Sequence, residues 1–285
     1  MIIDAHTHIG TTSFPVGKNR VSNLKEENLL LALNKYQIDF ALVSNIEGAE
    51  FNSDSCLGRA DEQILQISVM KKTINLARRY PNRLKALLWI KPFTEGYSDQ
   101  IEQLIKRNTE FVAGFKIHPS LSNLPLTDES YYPYLKLASK LQLPVQIHSE
   151  NDGRSNVRFV YDMALMYPSI PFIMVHMGFN SDNADAIDLM QKTDNLYGDT
   201  CEVKKKSVLK AIEVAGSEKL LFGTDAIVHG IDTYKKYVAI IKAIQEEFPG
   251  EQADNVLGKN CIRLYKLEAA IDSKKNFKLW LRNHS

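Results

Sequence analysis

The chain has 285 residues, 44% of them apolar and 24% charged, and a net charge of +1. Those proportions fit one large α/β domain or two ordinary ones, and a near-neutral chain offers no field for nucleic acid or an acidic partner. Three widely spaced cysteines, Cys56, Cys201 and Cys261, argue against a disulfide framework, and no apolar run approaches the roughly 20 residues of a membrane span.

Apolar strand-like runs alternate with amphipathic stretches along the whole chain. Strands are predicted over residues 2–6, 38–44, 84–90, 112–117, 144–148, 171–176, 194–199 and 219–224. Helices are predicted over 24–36, 61–80, 97–108, 130–141, 154–167, 182–192, 203–215 and 232–247. Eight βα units of this size read as an α/β protein of the (β/α)8 (TIM) barrel class, a fold of about 250 residues. The expected organisation is a single domain over 1–270 and a solvated C-terminal tail over 271–285, with a last helix from about 254 packed on the barrel. An open doubly wound sheet normally shows a Gly-rich phosphate loop after its first strand, and HTHIG is not one. The polar segments 9–23 and 45–60 follow strands one and two, on the side where a barrel keeps its site, and are candidate substrate loops. A signal peptide would have to contain the HTH of residues 6–8, so a cytoplasmic location is expected.

Four of the strand-like runs finish in metal-competent side chains. His6 and His8 stand two apart behind Ile2-Ile3, and residues i and i+2 of a strand share a face. His148 ends LPVQIH, His176 ends PFIMVH, and Asp225 follows KLLFGT. In a parallel barrel all strand C-termini converge on one face, so these five can meet although they are distant in sequence. Imidazole and carboxylate together suit Zn²⁺, with Mn²⁺, Fe²⁺, Co²⁺ and Ni²⁺ as alternatives, as one ion or two. Such an ion makes bound water acidic near pH 7, and Asp225 is placed to take the proton from it.

DAHTHIG, GFKIHP, LPVQIHSE, FIMVHMG and LLFGTDA resemble motifs of the amidohydrolase superfamily. The likeness is closest to its amidohydrolase-related (amidohydrolase 2) branch, whose C-terminal helix NVLGKNCIRLYKL also resembles. The resemblance covers nearly the whole chain. It implies a (β/α)8 barrel with a mononuclear or binuclear centre in which His6, His8, His148 and Asp225 bind metal. It gives His176 one of two roles, an acid/base group beside one ion or a ligand to a second. It also draws attention to Lys116 on strand four, where binuclear members carry a carboxylated lysine; an unmodified lysine there can instead bind a substrate carboxylate.

Further candidates come from the residues themselves. Lys116 and His118 share a strand face, so His118 either faces the substrate or serves a structural role before Pro119. Glu150 and Asp152 follow His148 and can orient ligands or bind substrate. Arg154 has the fork that grips a carboxylate, or else begins a helix. Glu202 and His229 lie on later βα loops, and Cys201 reads as a small buried or half-buried thiol with no base beside it.

Two chemistries share the scaffold that the resemblance implies. One is hydrolysis of an amide, lactone or ester of a small substrate; the alternative is non-oxidative decarboxylation of a small aromatic or enoic acid. Decarboxylases of the branch are often longer and often replace H-x-H by A-x-H or E-x-H. This compact chain keeps H-x-H, which favours hydrolysis. A barrel that has lost activity and only binds is disfavoured because every expected ligand is present. A phosphatase or nuclease of the superfamily usually has a glutamate where this chain has Lys116. A small-molecule substrate, no nucleic acid, no membrane and, by analogy, a homodimer complete the expectations.

Overall fold

The computed structural model describes residues 1–11, 23–50 and 64–272. In chain order its strands are β1 (Ile3–Thr11), β2 (Asn23–Leu24), β3 (Phe40–Asn45), β4 (Leu84–Trp89), β5 (Val112–Ile117), β6 (Val145–Glu150), β7 (Phe172–Phe179), β8 (Leu196–Asp199) and β9 (Leu220–Leu221). The helices between them are α1 (Glu26–Lys35), α2 (Gln66–Arg79), α3 (Asp99–Lys106), α4 (Pro119–Ser122), α5 (Tyr132–Leu141), α6 (Val157–Met166), α7 (Ala184–Met190), α8 (Lys205–Ala215) and α9 (Val238–Glu247), followed by α10 (Glu251–Asp254) and α11 (Asn260–Tyr265). Each longer helix buries residues three and four apart, such as Leu29, Ala32 and Leu33 in α1 and Val208, Ala211 and Ile212 in α8.

The strands form one sheet in the order β2-β1-β3-β4-β5-β6-β7-β8-β9, antiparallel between β2 and β1 and parallel everywhere else. Hydrogen bonds between β1 and the segment after β9 bring the two ends together. Ala5 N donates to Phe222 O at 2.8 Å, Asp225 N to His6 O at 2.9 Å, and His8 N to Ala226 O. The curled parallel sheet with its alternating helices is a (β/α)8 barrel, one domain.

Alternation along the strands separates two cores. Ala86 and Leu88, Phe115 and Ile117, and Val145 and Ile147 point outward into the layer beneath the helices. Ile3, Ala5, Phe40, Leu42 and Leu87 point inward and fill the lumen, whose lower end is plugged by Cys261, Leu264 and Tyr265 of α11. The same parity turns Ser44, Trp89, Lys116 and His148 inward at the upper end. Strands β5 and β6 approach so closely that a Cβ on Gly114 would lie 2.2 Å from the carbonyl oxygen of Pro144. No helix among the described residues is long and apolar enough to cross a membrane.

Three boundaries differ from the sequence expectation. Strand one does not stop at residue 6: it continues to Thr11, where Gly10 and Thr11 pair with Leu24 and Asn23, so the two histidines lie within the strand. The strand containing His176 likewise runs on to Phe179. The last strand shrinks to two residues because the backbone beyond Leu221 bonds instead to β1 and to Val256. The central parts of the two candidate substrate loops, residues 12–22 and 51–63, and most of the tail, 273–285, lie outside the described residues.

Candidate metal centre

A local irregularity aims the first two histidines. Between Asp4 and Thr7, β1 carries one more residue than the facing stretch of β3. This bulge lets Ala5 belong to the lumen core while His6, its neighbour, and His8 also turn inward. Their Nε2 atoms end 3.0 Å apart. Asp225 Oδ1 lies 2.8 Å from His8 Nε2 and 3.4 Å from His6 Nε2. Asp225 has φ of +63°, a left-handed conformation at the turn that follows the last strand.

The hydrogen bonds behind these residues set their protons. His6 Nδ1 lies 3.0 Å from the carboxylate of Asp199, so Nδ1 carries the proton and Nε2 the lone pair. Ser44 Oγ sits 2.8 Å from His8 Nδ1 and holds that ring with Nε2 toward Asp225 Oδ1. Burial drives the His6 pKa well below its ordinary value, with the Lys116 charge adding to the effect. Burial alone would raise Asp225, but the hydrogen bond from His8 and the surrounding imidazoles outweigh it and hold the carboxyl well below the usual range. Two imidazole nitrogens and an ionised carboxylate oxygen therefore converge within 3.4 Å, a donor set that a divalent cation satisfies in place of the His8 Nε2 proton.

The remaining candidates complete a circuit of rings around the mouth of the lumen. Ring centroids run from His6 to His8 at 4.9 Å, to Trp89 at 5.8 Å, to His118 at 6.0 Å and to His148 at 3.7 Å; they return through His176 at 4.9 Å to His6 at 5.5 Å. His176 Nδ1 donates to Cys201 O at 3.2 Å, which leaves its Nε2 as an acceptor. Three consecutive left-handed residues, His176, Met177 and Gly178, turn the chain at that point. His148 Nε2 lies 3.4 Å from Glu150 Oε2. Lys116 Nζ lies 3.3 Å from His6 Nε2, and burial lowers its pKa to about 8 although Asp225 and Asp199 pull it back up.

Other residues are placed elsewhere. Arg154 is exposed in the turn after β6, ahead of α6 rather than in it. Asp152 holds that turn, accepting from Arg154 N, Ser155 N and Ser155 Oγ. Glu202 and His229 face each other at 3.3 Å on the outer loops, with Lys236 on the same carboxylate.

Four residues of the centre carry no functional mark in the sequence pattern considered above. Asp199 ends β8 and also accepts from His176 N and Cys201 N. Cys201 is fully buried, and its sulfur, His6 and Asp225 offer ligand atoms within 4.8 Å of one another. Ser44 and Trp89 are lumen residues of β3 and β4. The alternation of apolar and polar residues gives a signal for Asp199, a carboxylate closing a buried strand; nothing in sequence separates Ser44 or Trp89 from other inward positions.

Comparison with known proteins agrees with this architecture. No curated protein matches the chain by sequence. Among solved structures it resembles a manganese-bound 5-carboxyvanillate decarboxylase from Novosphingobium aromaticivorans, with 12% identity, 94% and 97% of the two chains covered and a TM-score of 0.70. It also resembles a 4-oxalomesaconate hydratase from Rhodopseudomonas palustris, with 18% identity, 98% and 100% coverage and a TM-score of 0.64. A third is a probable 2-pyrone-4,6-dicarboxylic acid hydrolase from Acinetobacter baumannii, with 14% identity, 93% and 99% coverage and a TM-score of 0.62. At such identities these likenesses speak for the fold. The family model for amidohydrolases matches residues 3–267, the barrel and its closing helix together, and on that match the chain belongs to the amidohydrolase family.

Proposed function

We propose that this protein is a metal-dependent hydrolase that opens an amide, lactone or ester carbonyl of a small molecule. The observation that carries the reading is the convergence of His6 Nε2, His8 Nε2 and ionised Asp225 at the lumen mouth. A divalent ion bound there supplies acidified water and polarisation of a carbonyl oxygen. Asp225 accepts a proton at its carboxylate, and His176, with its lone pair on Nε2, is the second acceptor and the donor to a leaving group. Asp199 keeps His6 in the ligating tautomer, and Glu150 orients His148. Zinc is the ion we favour, because two imidazoles and a carboxylate suit it and the nearby Cys201 sulfur favours it over harder ions. Lys116 faces the same space as a cation or, if carboxylated, as a bridge between two ions.

A second reading is non-oxidative decarboxylation. It draws on buried Lys116, able to hold a substrate carboxylate, and on the manganese-bound decarboxylase among the fold neighbours.

The test begins with metal content per chain, by plasma mass spectrometry on protein purified without chelator or nickel. About one ion per chain fits the His6–His8–Asp225 centre with His176 free for proton transfer. About two ions, with a mass increment for one carboxyl group, fit a bridged centre on Lys116. The metal-loaded protein is then assayed for acid release from lactones, esters and amides and for carbon dioxide release from aromatic acids. Hydrolysis is the expected activity; carbon dioxide as the product replaces it with the second reading. Protein that takes up neither zinc nor manganese overturns both.

A further inference from the structure

Trp89 closes β4 with the inward parity of Leu87, and it pairs in register with Lys116 of β5. Its ring stands between His8, at 5.8 Å, and His118, at 6.0 Å and inclined by only 14°. The residue is 3% exposed. Its indole Nε1 is buried and has no hydrogen-bond partner among the described residues. Leaving such a donor unmade is costly. A phenylalanine would fill most of the same space without that cost, so the N–H is a donor in need of an acceptor.

The adjacent ring offers a second donor. His118 Nδ1 accepts from Leu121 N at 3.3 Å, capping α4. A nitrogen that accepts carries no proton, so the proton of this imidazole is on Nε2. Two N–H groups on neighbouring, nearly parallel rings, with Lys116 alongside, make a wall of donors beside the metal-competent cluster.

We propose that Trp89 determines specificity by donating its indole N–H to an oxygen acceptor of the substrate, with His118 Nε2–H as the companion donor. The acceptor is a carboxylate or a neutral carbonyl oxygen. The inference rests on the reading of the His6–His8–Asp225 cluster as an active site.

The test uses the full chain, metal-loaded and labelled with ¹⁵N-tryptophan. There are two tryptophans, Trp89 and Trp280, and the spectrum of the Trp89→Phe variant tells their indole signals apart. Three probes share one ring: benzoate offers a carboxylate, benzamide a neutral carbonyl, and benzylammonium no acceptor oxygen. We expect the Trp89 indole proton to move downfield with benzoate, with benzamide or with both, and not with benzylammonium. We also expect Trp89→Phe to weaken binding of the active probe about tenfold by calorimetry. A shift with benzoate alone identifies an anion reader; a shift with benzamide as well identifies a reader of any carbonyl oxygen. A Trp89 signal unmoved by either at its highest soluble concentration, in protein that holds its metal, overturns this inference and leaves the proposed function standing. Protein that holds no metal overturns the proposed function instead.

Discussion

The carboxylate of Asp199 lies 3.0 Å from Nδ1 of His6, joining the end of β8 to the middle of β1 across the lumen. This pair decides which nitrogen of His6 faces the centre. Both residues are buried, and burial raises Asp199 to about 6, below which the carboxylate is lost and its hold on the imidazole weakens.

Asp199→Asn should therefore keep the fold and lower metal affinity by about 10- to 100-fold, the usual effect of losing a carboxylate behind a ligating histidine. Competition against a zinc chelator measures it directly. Unchanged affinity would show that the pair orients the ring without tuning it.

Removal of the ligands themselves is more severe. The double variant His6→Ala, His8→Ala should hold no metal after dialysis, because two of three converging donors are gone. Asp225→Ala should lower turnover at least about a thousandfold, combining loss of a ligand and of a proton acceptor. Circular dichroism should show the barrel intact; an Asp225→Ala enzyme retaining most of its activity sinks the assignment.

Glu50 tests the support for the mouth rather than the mouth itself. Its buried carboxylate accepts from Phe93 N at 2.9 Å, Thr94 N at 2.6 Å, Thr94 Oγ1 at 2.9 Å and Ser122 Oγ at 2.5 Å. Glu50→Ala strands these donors and should cost about 3 kcal/mol in denaturant unfolding. Burial raises the Glu50 pKa above its ordinary value of 4.5, an effect that those four hydrogen bonds only partly offset. The folded state thus keeps this proton after the unfolded state has released it. Its contribution to stability falls as pH rises above the ordinary carboxylate pKa. Glu50→Gln, which cannot ionise, should flatten that part of the stability–pH curve; parallel curves for the two proteins would refute the shift.

Gly114 carries a purely steric prediction. A Cβ there would meet a backbone carbonyl at 2.2 Å, and a strand backbone cannot step aside as a side chain can. Gly114→Ala should destabilise the protein by about 3 kcal/mol or more, or abolish soluble expression. A melting temperature within a degree or two of the parent would show that β5 and β6 are not so tightly packed.

Much of the barrel was legible from the residues because it depends on local pattern. Each apolar run has the length of a strand, each intervening stretch has helical periodicity, and a parallel sheet needs both faces covered. His6, His8, His148, His176 and Asp225 stood out because polar side chains at the ends of buried strands are conspicuous, and the family resemblance followed the same motifs. The bulge in β1 was not legible. Two inward histidines are compatible with simple alternation from residue 6, but Ala5 and His6 both facing the lumen requires an extra residue relative to β3, and only the paired strand defines that.

The amino-acid sequence by itself thus determined the order of strands and helices, the barrel class and the metal-competent side chains, since each is written in hydrophobic period and residue type. The tertiary structure decided which of those side chains share space. It set Asp199 behind His6, Ser44 behind His8 and Cys201 beside both His6 and Asp225; it left Arg154 outside the ring and brought Trp89 into it. Those relationships join residues from different strands. They arise only when the parallel sheet curls on itself, the register between neighbouring strands is set, and a left-handed turn or a bulge re-aims a side chain by one position.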